Sequence, residues 1–148
     1  PYLYRGSTYQ KINEEEKALS DFSKAIQLDP TEVWAYRKRA ALYEQQGNYQ
    51  KALEDYQQVL QLATDHAIDY NNRCWLYTQL KEYSKALADC NQALSLSPKE
   101  AEFLDTRASL YLAMGEKEKA KADLEAILRL NPDPALRSRV QETLKQLK

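Results

Sequence analysis

The residues able to do chemistry are few, and their spacing does not suit it. His66 is the one histidine among 148 residues, so no His pair can hold a metal and no imidazole base is matched to a serine or cysteine nucleophile. The glycines Gly6, Gly47 and Gly115 are scattered, which leaves no glycine-rich loop to cradle a phosphate. Cys74 and Cys90 occupy slots filled elsewhere by Gly6, Ala40 and Ala108 and by Phe22, Tyr56 and Leu124. The favoured reading is two small buried hydrophobes with inert thiols, over a disulfide or redox pair. Carboxylates are abundant, but exposed helix faces are their ordinary place. The expectation is a chain with no catalytic residue, no metal site and no cofactor.

One polar set is regular. Arg5, Arg39, Arg73 and Arg107 recur at one constant interval, and Asp21, Asp55, Asp89 and Asp123 recur at the same interval. Each Arg is flanked by packing residues, where a desolvated lone charge is costly. The reading is therefore Arg–Asp pairs between two helices, within each repeat. A row of Arg reading phosphate or carboxylate ligands is disfavoured, because the equal number of Asp would neutralise it.

The elements that position these residues follow from the same period. Tyr77–Cys90 reads almost as Tyr43–Tyr56 does one period earlier, with further copies from Tyr9 and from Tyr111. Such self-similarity marks stacked supersecondary units. Each unit holds two apolar stripes at helical spacing. They are Tyr36, Ala40 and Tyr43, then Ala52, Leu53, Tyr56, Val59 and Leu60 in the second unit. Gly47 supplies the turn between them and Asn48 is expected to cap the second helix. Pro30, Pro98 and Pro132 close their units, whereas Thr64 stands in that place at the second junction, which is the least rigidly specified. Asp133-Pro134 then opens a last helix with Leu136, Val140, Leu144 and Leu147 on one side, as a terminal cap would. The expected fold is all-α, a right-handed α-solenoid of four helix-turn-helix repeats plus a C-terminal capping helix. It forms one domain over 1–148, with repeats at about 1–32, 33–66, 67–100 and 101–134 and the cap at about 134–148.

Composition agrees with that fold and narrows the partners. With 43% apolar and 29% charged residues the chain is ordinary for a globular protein, and 11 Tyr with 3 Gly suit helices. Net charge is −1, so no global field draws it to nucleic acid or to an anionic membrane. No apolar run of spanning length occurs, so membrane insertion is not expected. The start at Pro1-Tyr2 reads as a fragment or processed chain. The compartment is left open, with the cytoplasm slightly favoured.

These slots resemble the tetratricopeptide repeat family over essentially the whole chain. The aromatic, small and Tyr slots of the first helix are Tyr2, Tyr36, Tyr70 and Leu104, then Gly6, Ala40, Cys74 and Ala108, then Tyr9, Tyr43, Tyr77 and Tyr111. The second helix has Ala18, Ala52, Ala86 and Ala120, and departures are Leu104, Cys90, Val59, Ile127 and Thr64. The resemblance implies a non-catalytic interaction scaffold whose first helices line a concave face. That face is expected to use Trp34, Arg37 and Glu44, then Ile68, Asn71, Trp75 and Gln79, then Glu102 and Asp105. Leu3, Ser7, Gln10 and Lys11 are the matching positions of the first unit. Both Trp lie on this stripe and outside the packing slots, as partner anchors would. Some family members bind the C-terminal carboxylate of heat-shock chaperones through basic residues and two Asn. Here Arg37 and Asn72 match, but Ala41, Glu102 and Thr106 do not, so that ligand is not adopted. The expected partner is a protein or peptide segment. The alternatives are an oligomerisation module that self-associates through the N-terminal stack end, and a regulatory arm of a larger protein.

Overall fold

The computed structural model describes Arg5 and residues 14–148. Tyr2, Gly6 and Tyr9, the inner-face positions Leu3, Ser7, Gln10 and Lys11, and the N-terminal end expected to self-associate lie outside the described residues. Among the described residues the secondary structure is eight α-helices with no strand: α1 (Glu15–Leu28), α2 (Val33–Gln45), α3 (Tyr49–Leu62), α4 (Ala67–Gln79), α5 (Tyr83–Leu96), α6 (Ala101–Ala113), α7 (Lys117–Arg129) and α8 (Pro134–Gln146). They fall into two compact units that divide between Asp65 and His66, at the junction where Thr64 replaces Pro.

The turns inside the pairs are built alike. Gly47, Lys81 and Gly115, at equivalent positions of successive repeats, have φ of 75°, 63° and 78°. The next amide reaches back to the carbonyl of a Tyr: Asn48 to Tyr43 at 2.8 Å, Glu82 to Tyr77 at 2.9 Å and Glu116 to Tyr111 at 2.8 Å. This is a Schellman closure, with the left-handed residue just past the helix. It also corrects the expectation for Asn48, whose side chain makes no capping bond to α3. Asn48 ends one helix motif while starting the next, so its φ of −88° and ψ of 70° are set by the turn. Free of that constraint, Asp133 is extended and accepts from the Leu136 amide at 2.9 Å.

Lys81 carries the left-handed strain that its two glycine counterparts avoid. Lys81→Gly is expected to stabilise the chain by about 0.5–1 kcal/mol in a thermal melt. Gly47→Ala and Gly115→Ala should each cost about 1 kcal/mol, all of it from the backbone, because among the described residues nothing beyond the adjoining ones lies within 4 Å of the added Cβ.

In the first unit, Ala18, Phe22 and Leu42 form an apolar cluster between α1 and α2, with Leu19 and Trp34 packed on it. In the second unit, Ala93, Leu94, Phe103, Leu104, Ala108, Leu124, Ile127 and Val140 form another, and Leu136 and Leu144 of α8, with Leu147 just past its end, close it. The first helix of a pair is buried on two sides: beside the stripe of Tyr36 and Ala40, Ala35 and Leu42 are also buried, as are Leu76 and then Phe103 and Leu110.

Cys74 and Cys90 are joined by a disulfide, so the inert-thiol reading is corrected. The small slot of α4 faces the large slot of α5, and the two Cα atoms are 5.4 Å apart, within bonding range. Where other repeats set a small residue against a large one, this repeat bridges the gap with two sulfurs.

Candidate functional site

The Arg and Asp sets meet in each repeat. Arg39 Nε and Nη2 donate to Asp55 Oδ2 and Oδ1 at 2.8 and 2.7 Å. Arg73 does the same to Asp89 at 2.6 and 2.8 Å, and Arg107 to Asp123 at 2.8 and 2.7 Å. Arg5 Nε and Nη2 likewise reach Asp21 at 2.6 and 2.9 Å. The carboxylates are buried, and planar two-point contact is the geometry in which a guanidinium neutralises such a group best. The hydrogen bond to Asp raises the pKa of Arg39, Arg73 and Arg107 above the ordinary guanidinium value. The bond from Arg5 holds Asp21 below the usual carboxylate range. Stability from that pair is therefore present above this range and is lost as pH falls below it.

Arg39, Arg73 and Arg107 each do a second job. Arg39 Nη1 donates to Ser23 Oγ at 3.0 Å and Arg107 Nη1 to Asn91 Oδ1 at 2.9 Å, which ties a repeat to the second helix of the repeat before it. The Tyr one turn on meets both that Arg and a Lys: Arg39 and Lys51 stand over the Tyr43 ring at 5.8 and 5.5 Å, and the arrangement recurs at Tyr77 and Tyr111. The recurrence of Lys51, Lys85 and Lys119 at the repeat spacing was the unused signal for these stacks. The polar ladder is thus internal scaffolding.

The other face of the first helices carries the side chains that this packing leaves over. In the first unit, Trp34 opens α2 half-buried, with its ring edge-on to Phe22 at a centroid distance of 6.5 Å and Lys38 Nζ 4.9 Å above it. Its indole therefore helps hold α1 against α2 as well as facing outward. Arg37 is half-buried on the same helix. Glu44, also half-buried, has its pKa raised by loss of water around the carboxylate.

In the second unit, α4 and α6 pack against each other. Along α4, Ile68 is 40% exposed, Gln79 is exposed and Trp75 is half-buried. Between the first and last of these stands Asn71, only 4% exposed. Its Oδ1 is closed to solvent and has no hydrogen-bond partner among the described residues. A buried acceptor left open costs free energy unless a donor is supplied. On α6, Glu102 is exposed, while Asp105 Oδ2 accepts from Arg139 Nη2 of α8 at 2.6 Å. These residues, with Asp133 and Leu136, line an open cleft of about 560 Å³ between α6 and α8.

Sequence reasoning gave these helices one packing stripe and missed the second. Leu42, Leu76 and Leu110 are all Leu at the repeat spacing, which was the signal available. Among the described residues no three His, Cys, Asp or Glu side chains are grouped to hold a metal ion, and no helix is long and apolar enough to cross a membrane.

Helix pairs at a constant repeat spacing, with a periodic polar ladder inside and side chains left over on the first helices, define a helical-repeat protein. The chain belongs to the tetratricopeptide repeat family: models described as "Tetratricopeptide repeat" match residues 33–66 and 75–145, and one described as "TPR repeat" matches 6–47. Among solved structures, a tetratricopeptide repeat protein from Parabacteroides merdae is 21% identical with a TM-score of 0.90, over 99% of this chain and 57% of that one. This chain thus spans little more than half the length of that relative. A thermophilic TPR protein of Thermus thermophilus is 26% identical with a TM-score of 0.79, over 97% of this chain and 79% of the other. The first TPR of Spaghetti (RPAP3), solved bound to the HSP90 peptide SRMEEVD, is 24% identical with a TM-score of 0.71, over 80% and 92%. No curated protein matches the sequence.

Proposed function

We propose that this chain is a non-catalytic docking scaffold that takes an extended segment of a partner protein on the outward face of its first helices. In the first unit the face is Trp34, Arg37 and Glu44; in the second it is Ile68, Asn71, Trp75 and Gln79, continued by Glu102 and Asp105. The observation that carries the reading is Asn71, a carboxamide whose buried oxygen has no donor among the described residues, set between an exposed Ile68 and a half-buried indole. Once the Asn71 carboxamide turns outward, a peptide N–H supplies the donor it lacks, and apolar side chains beside it would cover Ile68 and Trp75. The exposed Glu102 favours a basic residue toward that end of the segment. It disfavours an acidic peptide such as the SRMEEVD that the Spaghetti repeat is bound to.

Peptide-display selection on the intact chain beside Trp75→Ala tests this, with circular dichroism matching the helicity of the two. Trp34→Ala is the poorer probe, because its ring also packs on Phe22. The expected result is an enriched consensus that binds the parent at least about tenfold more tightly than the variant. Equal enrichment on both, at equal helicity, would overturn the assignment of this face.

A further inference from the structure

We propose that the Cys74–Cys90 disulfide is a redox-dependent pin for the third repeat, so that the register of α4 on α5 is held firmly only in the oxidised chain. The neighbouring repeats fill this interhelix position with a small and a large side chain, Ala40 with Tyr56 and Ala108 with Leu124, and all four are buried. In the third repeat the large partner is gone. Two cysteines are together smaller than either of those pairs, and here a covalent bond takes the place of the missing apolar contact. Both residues are fully buried.

Reduction has a defined chemistry and a defined structural cost. An external dithiol attacks one sulfur as its thiolate, and the mixed disulfide is resolved by the second thiol of the reagent. The S–S bond of the protein breaks, two electrons and two protons pass to Cys74 and Cys90, and the reagent leaves as its own disulfide. The two sulfurs must then move from bonding distance to nonbonded contact inside a closed space, with no large side chain to restore the packing. Arg73–Asp89 still joins α4 to α5, so the hairpin loosens rather than falls apart. Trp75 is next in sequence to Cys74 and Asn71 is one turn before it, so a loosened α4 displaces that face first. A chain relying on this pin works where structural disulfides persist, which is an oxidising compartment.

The test uses the full chain and no partner, so it stands or falls apart from the docking assignment. Thermal melts and amide hydrogen exchange are compared for the oxidised chain, for the chain reduced with dithiothreitol after brief unfolding and refolding, and for Cys74→Ala/Cys90→Tyr, which copies Ala40 and Tyr56. Reduction is expected to lower the melting temperature by roughly 5–10 °C. It should remove exchange protection in α4 and α5 more than in α2, α3, α6 or α7. The double variant should melt above the reduced chain and ignore the reductant. If that ring does not fit, Cys74→Ala/Cys90→Leu copies Ala108 and Leu124 to the same end. Quantitative alkylation of both cysteines in the folded, air-oxidised chain would overturn the proposal, and so would identical melts and exchange maps for the oxidised and reduced forms.

Discussion

Asp55→Ala is expected to destabilise the first unit by about 3–5 kcal/mol, more than any surface change in the chain. The reason lies in what it leaves behind. Asp55 is 5% exposed at its side chain and Arg39 20%, so removing the carboxylate strands a guanidinium that has little water to turn to. That Arg also loses the anchor holding it in reach of Ser23 Oγ at 3.0 Å and over the Tyr43 ring, so the tie between α1 and α2 weakens with the tie between α2 and α3. A shift of this size should lower the melting temperature on the order of 10 °C. The control separates charge from contact: Arg39→Met/Asp55→Leu removes both partners and should recover most of the loss, since a buried ion pair is costly to break and readily replaced whole. Arg5 is 53% exposed in its pair with Asp21, so Asp21→Ala should cost less. Equal costs at Asp21 and Asp55, or a double variant no better than Asp55→Ala, would contradict this account.

Much of this framework was legible in the residues because repetition amplifies weak signals. Arg39 and Asp55 alone would be two charges in an amphipathic chain; the same pair at four matching positions, always equally separated, becomes a rule about facing helices. The helix ends were readable for the same reason, since Gly47 and Gly115 mark the turns and Pro30, Pro98 and Pro132 the exits. Lys81 shows how the period exceeds local propensity, as a residue ill suited to φ of 63° is carried into the turn by the helices on either side.

What stayed hidden depends on distances between helices, which residue types do not report. Cysteine suits a buried thiol and a disulfide equally well, and only the 5.4 Å between the Cα atoms separates them. Asn48 was a reasonable cap by type, but its backbone belongs to two motifs at once. Trp34 lies on the outward stripe by helical spacing and still meets Phe22, because α2 is covered from two directions and a one-stripe wheel leaves room for only one. Asn71 is the opposite case. Its stripe suggested exposure, whereas its side chain is shut in with its acceptor unanswered.

Leu76 and Trp75, side by side on α4, set the fold against the proposed docking face, and the second large effect is expected at the Leu. Leu76 is fully buried in the stripe shared with Leu42 and Leu110, so Leu76→Ala removes methyl groups and leaves a cavity that close-packed helices cannot easily collapse. The cost should be about 2–5 kcal/mol, with hydrogen-exchange protection in α4 falling accordingly. Trp75→Ala, one residue away, removes a larger side chain but a half-buried one, and should cost the fold less while removing the apolar anchor beside Asn71. Measured together, the two variants should therefore cross: Leu76→Ala melts lower but, at temperatures where it is folded, selects the same peptides as the parent, and Trp75→Ala melts closer to the parent but selects none of them. If both variants lose stability and binding in proportion, α4 has no face separate from its core. If they cross, recognition is carried by the side of the helix that the repeat itself does not need.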